Sequence, residues 1–329
     1  MKKVLSYIYK FLFNNKRFHS PLKVDKIKKI LIIRNDAIGD MIVTTPIFEI
    51  IKNKLSNVEL DVLCSMKNYP IIENNPYINN IFTLKKSILS FFITIVLLKK
   101  RKYDLILGLV FNKTTKIGLI ANLIGTKKTI KVSISHTERN NLYYQLFNIL
   151  INVDDVRFSK TMVEIQAILL SRLFGWNYNI NEVKQGIYFK TDDDEYYDFI
   201  PPKAIFFNIS AGNPKKELSL DKNIELIDKY MTQYPQNNIL LHSAQQDYNK
   251  AIIIRDRFKD KINYVPFINN ILEICKIIKQ CEIVISPDTS ITHIGATFGK
   301  KVIILVPNKY KIQREWLPYC TEIEIKLVE

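Results

Sequence analysis

The chain has 329 residues, 47% of them hydrophobic and 24% charged, a balance that excludes an intrinsically disordered chain and exceeds what one core usually serves. Its 48 Lys and Arg against 32 Asp and Glu give a net charge of +16; nucleic acid, an anionic membrane surface or a phosphorylated substrate would each suit it. So would a plain compositional bias toward Lys, Asn and Ile, and charge alone decides little. Cys64, Cys275, Cys281 and Cys320 show no C-x-x-C spacing, which argues against a disulfide framework and for a reducing compartment.

Residues 1–28 mix bulky apolar side chains with Lys and Arg, and Lys10 interrupts what would have to be a secretory signal core. As a helix this basic amphipathic extension would put Val4, Ile8, Phe11 and Leu12 near one side, with Lys3, Lys10, Lys16 and Arg17 elsewhere. That suits an anionic bilayer surface; a packed or disordered extension is the alternative. From Lys29, β-rich runs at 29–34, 58–64, 80–84, 104–110 and 128–133 alternate with helix-period segments at 41–54, 66–73, 87–100, 113–123, 137–151 and 160–174. The longest apolar run, Ile88 to Leu98, is about half the ~20 residues a membrane-spanning helix needs.

At 190–203 an acidic run meets two prolines, the composition of a linker. Strands then recur at 204–210, 237–243, 262–265, 282–286 and 301–306, with helices near 220–233, 246–258, 270–280 and 291–298. The expected fold class is α/β: two doubly wound parallel sheets, in domains 29–189 and 204–329, with a cleft between them. Ligands bind such sheets beyond the carboxyl ends of the strands, so the loops there are the places to look for chemistry.

The first such loop, "RNDAIGD", runs from Arg34 to Asp40. Its one glycine, Gly39, is too few for the G-x-G-x-x-G dinucleotide fingerprint, which excludes a typical nicotinamide dehydrogenase. Gly39 lets a ligand approach the backbone. Asp40 either caps the next helix or does chemistry, and a second helix start, Thr45 followed by Pro46, would release it from capping.

A better anion site is "ISPDTSITHIGATFGKKVIILV", residues 285–306. A strand ends at Ser286, Asp288 shapes the turn, and Thr289 and Ser290 bring hydroxyls and backbone amides to a helix start suited to a diphosphate. His293, one turn on, either reaches a phosphate or sugar hydroxyl or is a buried helix histidine. In "NISAGNPKKELSL", Ser210 lies in a small flexible loop, and Lys215 and Lys216 either neutralise a departing diphosphate or are ordinary solvated charges. "HSAQQD" offers Gln246 and Asp247 to ribose hydroxyls. No metal-ligand spacing is seen among the four histidines.

Together these segments resemble the heptosyltransferase-like glycosyltransferases of family 9, over residues 29 to about 320. The specific parts are "ILIIRNDAIGDMIVTTP" and "ISPDTSITHIGATFGKKVIILV", with "REWLPY" at 314–319 a weaker element. The resemblance implies two Rossmann-like domains in the GT-B arrangement and inverting transfer from a nucleotide-diphosphate sugar, an ADP-linked heptose or relative. The acceptor it implies is a lipopolysaccharide core or another surface glycan, glycolipid or oligosaccharide.

It further implies that Asp40 is the catalytic base, that Lys216 holds the diphosphate with Lys215 as the other register, and that Asp288, Thr289 and His293 line the donor site. Ser210, Asp247 and Ser290 are grouped with the donor residues, and Arg34, Gly39 and Lys215 with those binding or supporting the acceptor. No cofactor and no metal are expected, and the expected place is cytoplasmic, peripheral on the inner membrane face. Ser290 stands where the family has glycine and Leu218 where it usually has tryptophan. A sugar-nucleotide epimerase and a non-catalytic sugar-nucleotide or glycan-binding protein are the alternatives. Nucleic-acid binding has no aromatic-basic motif behind it.

Overall fold

The computed structural model describes residues 13, 15–85, 87–111, 115–135, 141–177, 179–190, 197–265, 267–320 and 322–329. Residues 1–12 and 14 of the expected amphipathic extension, and residues 191–196 of the acidic segment, lie outside the described residues. The chain divides into two compact units, residues 1–188 and 189–329.

Runs of β-branched, leucine and phenylalanine side chains build the central strands of both sheets, because a central parallel strand is buried on both faces and has no polar side to alternate with. In the first unit the strands are β1 (Lys29–Arg34), β2 (Glu59–Ser65), β3 (Asn80–Leu84), β4 (Leu105–Gly108), β5 (Ile130–Ile134) and β6 (Ile149–Ile151). They form one sheet in the order β3-β2-β1-β4-β5-β6, every pair parallel. Leu31, Ile33, Leu63 and Ile106 pack on one face against Leu98, Ile117, Ile120 and Ile124 of the crossover helices.

The second unit repeats the design. Its strands are β7 (Ala204–Asn208), β8 (Asn238–His242), β9 (Ile262–Val265), β10 (Ile283–Pro287), β11 (Lys301–Pro307) and β12 (Ile323–Val328), in the order β12-β11-β10-β7-β8-β9 and again all parallel. In each sheet the first strand of the unit sits where the order reverses, β1 between β2 and β4 and β7 between β8 and β10. The loops after β1 and β7 therefore leave from the switch points, the usual ligand positions in open α/β sheets.

Four sequence expectations are corrected. The helix expected over 41–54 is two, Ile38–Ile42 and Thr45–Lys54. Pro46 has no N–H to give the Ile42 carbonyl, which takes the Thr45 hydroxyl at 2.8 Å instead, and the axis breaks there. The helix expected over 66–73 is a single 3₁₀ turn, Tyr69–Ile71. Of the helix expected over 137–151, residues 137–140 lie outside the described residues and Asn141–Gln145 is helical, but Ile149–Ile151 is β6, paired with β5. The last strand, β12, lies beyond the expected strands. Among the described residues no helix is long and apolar enough to cross a membrane.

Candidate functional site

The turn after β1 is built around Arg34, which is fully buried and among the largest such side chains. A buried guanidinium must have its donors met. Arg34 Nε donates to the Asp40 carbonyl at 2.9 Å, one terminal nitrogen reaches Asp40 Oδ1 at 3.2 Å, and the other reaches Asp36 Oδ2 at 3.0 Å and the Leu109 carbonyl beyond β4. The Phe111 ring lies 5.5 Å from the guanidinium carbon. Arg34 thus clamps the loops after β1 and β4 and holds two carboxylates with one positive charge.

That imbalance appears at Asp36. Burial pushes its carboxyl up to about 6, against the pull of Arg34 and with Asp40 adding to the rise. Its Oδ1 is buried without a hydrogen-bond partner. Asp40 is the better-served of the two: its Oδ2 accepts the Ala37 amide at 3.0 Å, capping the short helix from its third position. Capping and Arg34 pairing leave a second lone pair on each Asp40 oxygen, and the side chain is 17% exposed. Gly39 lies inside this helical turn and does not take a left-handed conformation.

Two residues that sequence reasoning missed brace the turn. Asn68 donates to the Arg34 carbonyl at 3.1 Å. Buried Gln166, on the helix Met162–Phe174, donates to the Val43 carbonyl at 3.0 Å and accepts the Thr44 hydroxyl at 3.0 Å. Neither carries a sequence signal, because each is a lone polar residue in an otherwise ordinary segment.

In the second unit, Lys216 ends a short 3₁₀ turn after β7, nucleated by Pro214 and capped by the Asn213 side chain, which accepts the Lys215 amide at 3.0 Å. Lys216 is half-buried and turns inward, and Lys215 is exposed. Lys216 Nζ lies 2.6 Å from Asp288 Oδ2 and 3.0 Å from the Asp288 carbonyl, joining the loops after β7 and β10. The Tyr310 hydroxyl donates to the same carboxylate oxygen at 3.0 Å, and the Tyr310 ring faces the ammonium at 5.1 Å. Burial opposes the lysine's charge, but Asp288 and Tyr310 more than offset it and raise its pKa above the ordinary value.

Beside this ion pair a polar chain runs across three strand ends. His242 Nδ1 lies 3.2 Å from Asn208 Oδ1, Asn208 Nδ2 donates to Ser286 Oγ at 2.9 Å, and Ser286 Oγ lies 3.1 Å from Thr289 Oγ1. Burial pushes His242 down to about 4, so it is neutral at pH 7, and because the amide oxygen only accepts, its proton sits on Nδ1. Thr289 caps the helix Ser290–Thr297, accepting the Ile291 amide at 3.3 Å. Gly295 lets that helix sit directly on the sheet, since a Cβ there would lie 2.8 Å from a Val284 methyl.

The other expected donor residues fall unevenly. Ser290 opens the helix in right-handed conformation, so serine in place of glycine costs the backbone nothing. Ser210 is buried and its hydroxyl accepts the Ala244 amide at 2.8 Å, which makes it a tie between the loops after β7 and β8. Asp247 is buried, 3.4 Å from Lys250 Nζ, and its Oδ2 has no hydrogen-bond partner. His293 is buried one turn into the helix, and Leu218 joins the core. Among the described residues no three His, Cys, Asp or Glu side chains are grouped to hold a metal ion.

Comparisons with known proteins bear on the fold and the family. A curated relative, lipopolysaccharide heptosyltransferase 3 of Escherichia coli, is 28% identical over 114 residues, which span about a third of each chain. The solved structure of a family 9 glycosyl transferase from Veillonella parvula matches with a TM-score of 0.75 at 15% identity, over 94% of this chain and 88% of that one. E. coli heptosyltransferase WaaC with ADP matches with a TM-score of 0.71 at 14% identity, over 92% of this chain and 91% of that one. At such identities these structures show the fold, the α/β GT-B type. The family model described as glycosyltransferase family 9 (heptosyltransferase) matches residues 95–312, about two thirds of the chain and all of the second-unit site, though not the Asp40 turn. The chain belongs to glycosyltransferase family 9.

Proposed function

We propose that the protein is an inverting glycosyltransferase that moves a heptose or related sugar from an ADP-type nucleotide-diphosphate donor to a lipopolysaccharide core or another surface glycan. The observation that carries this is the Lys216–Asp288 pair at the second switch point, beside the Thr289-capped helix start. A lysine held charged there, with the positive end of a helix next to it, suits a leaving diphosphate. The WaaC structure with ADP supports an adenine nucleotide, and family membership favours transfer over the epimerase and binding-protein readings.

In this reaction the acceptor hydroxyl oxygen bonds to the anomeric carbon as the bond from that carbon to the diphosphate oxygen breaks. The hydroxyl proton passes to Asp40, and the electron pair leaves with the nucleoside diphosphate toward Lys216. Arg34 and the Ala37 amide hold Asp40 in one orientation, which is what a general base needs before its pKa matters. No cofactor or metal has a part in this scheme. A glycolipid acceptor places the enzyme at an anionic membrane surface on its cytoplasmic side.

The test is transfer and binding with purified protein. Isothermal titration is expected to show ADP binding in preference to UDP or GDP. Asp40→Asn is expected to lower turnover by about 10²- to 10⁴-fold with nucleotide affinity unchanged. Full turnover in that variant overturns the base, and absence of nucleotide-diphosphate binding overturns the donor site.

A further inference from the structure

The helix Ile88–Lys100 breaks the ordinary rule that a surface helix shows water its polar side. Its inner face, with Phe91, Ile95 and Leu98, packs on the first-unit core. Its outer face carries Ile88, Leu89, Phe92, Ile93, Val96 and Leu97, each between 49% and 76% exposed. These are positions i, i+1, i+4, i+5, i+8 and i+9, so they form one continuous stripe about 15 Å long at 1.5 Å per residue. A soluble protein rarely leaves such a patch without a partner.

We propose that this face docks on an anionic lipid bilayer. Charge selects the occupant: residues 85–102 contain six Lys and Arg and no carboxylate. Lys99 and Lys100 are exposed at the end of the stripe, on the same side of the helix, and Lys102 is exposed just beyond. Arg101 is committed elsewhere, to Glu59 and Asp61. An apolar stripe ending in lysines can enter the acyl boundary while the long lysine stems carry their charges back to the headgroups. The helix follows β3 and so begins at the carboxyl end of the sheet, the end that also carries the Asp40 turn. A lipid-anchored acceptor would reach that rim from the same surface. The inference rests on the membrane part of the proposed function and not on the transfer chemistry.

The experiment is flotation of the full chain with vesicles of phosphatidylethanolamine and phosphatidylglycerol, and with vesicles of phosphatidylcholine alone. The wild type is expected to float with the anionic vesicles, more weakly as salt rises. A Phe92→Glu, Val96→Glu variant is expected to lose affinity by about tenfold or more. Phe158→Glu, at an exposed apolar residue outside the stripe, is expected to float like wild type. Unchanged flotation of the double variant overturns the proposal, as does equal binding to phosphatidylcholine. So does a wild-type dimer in sedimentation that the double variant dissolves, which would make the face a contact between copies. Transfer to a lipid-free acceptor is expected to survive in the double variant, so loss of docking and loss of catalysis are read separately.

Discussion

Arg34 and its two carboxylates set the chemistry of the first site. The opposite fates of Asp36 and Asp40 follow from one buried cation facing two anions. With its folded pKa near 6 against an ordinary 3.8, Asp36 binds its proton more tightly in the folded chain. Its contribution to stability is complete below the ordinary carboxylate range and is lost as pH rises through about 6, on the order of 2 to 3 kcal/mol. Urea unfolding of Asp36→Asn is expected to gain on wild type by that amount between about pH 4 and about pH 7; equal pH profiles would refute it. At the second site, Lys216→Ala leaves a buried aspartate without its cation and is expected to weaken ADP binding about tenfold or more, whereas Lys215→Ala is expected to change it little. The sequence made these residues candidates, since charges beside a glycine or at a helix start stand out. It could not separate Lys216 from Lys215, because which of two adjacent lysines turns inward depends on the Asn213 cap and on Tyr310 some ninety residues on.

Among the elements, β1 has the bounds that its apolar run predicts, because a buried parallel strand writes its burial as an unbroken run; β3 matches its expected bounds too, although as an edge strand it is only half-buried. The segment 141–151 shows the limit of that reading. Its apolar residues fit a helical period, yet Ile149–Ile151 becomes strand because β5 offers it a free edge, a fact of tertiary pairing that no local pattern contains. In the 41–54 segment the second helix start that Thr45 and Pro46 mark in the sequence is found, and the single helix across it is not. The helix Met162–Phe174 braces the turn that carries Asp40 through Gln166. Gln166→Leu strands the Val43 carbonyl and is expected to cost about 1–3 kcal/mol in denaturant unfolding. Because the same amide steadies the residues following Asp40, kcat is expected to fall while the affinity for ADP holds; a loss confined to stability would show that the brace is structural only.

At the scale of the molecule, the two-sheet plan was legible because strand and helix periods alternate twice with a break between. The outermost strand of the second sheet was not, since β12 turns Ile323, Ile325 and Leu327 outward, so its alternation does not mark a buried face. Each unit has its own core, and the proposed donor site lies wholly in the second. ADP at about 100 times its Kd is therefore expected to slow hydrogen exchange about 100-fold in the loops after β7 and β10 and to leave the core of β1 and β4 unchanged. Uniform protection of both units would instead point to coupling between them. The strand order also bears on how the chain acquires its structure. β1 meets β2 after two short helices, but its other neighbour, β4, begins at Leu105, and parallel strands cannot be closed by a hairpin. Such distant pairings make folding slow. Each unit is continuous in sequence, however, so during synthesis residues 1–188 can close their sheet before β10, the late neighbour of β7, leaves the ribosome. The order in which the strands are made thus keeps the two similar sheets from competing for each other's edges.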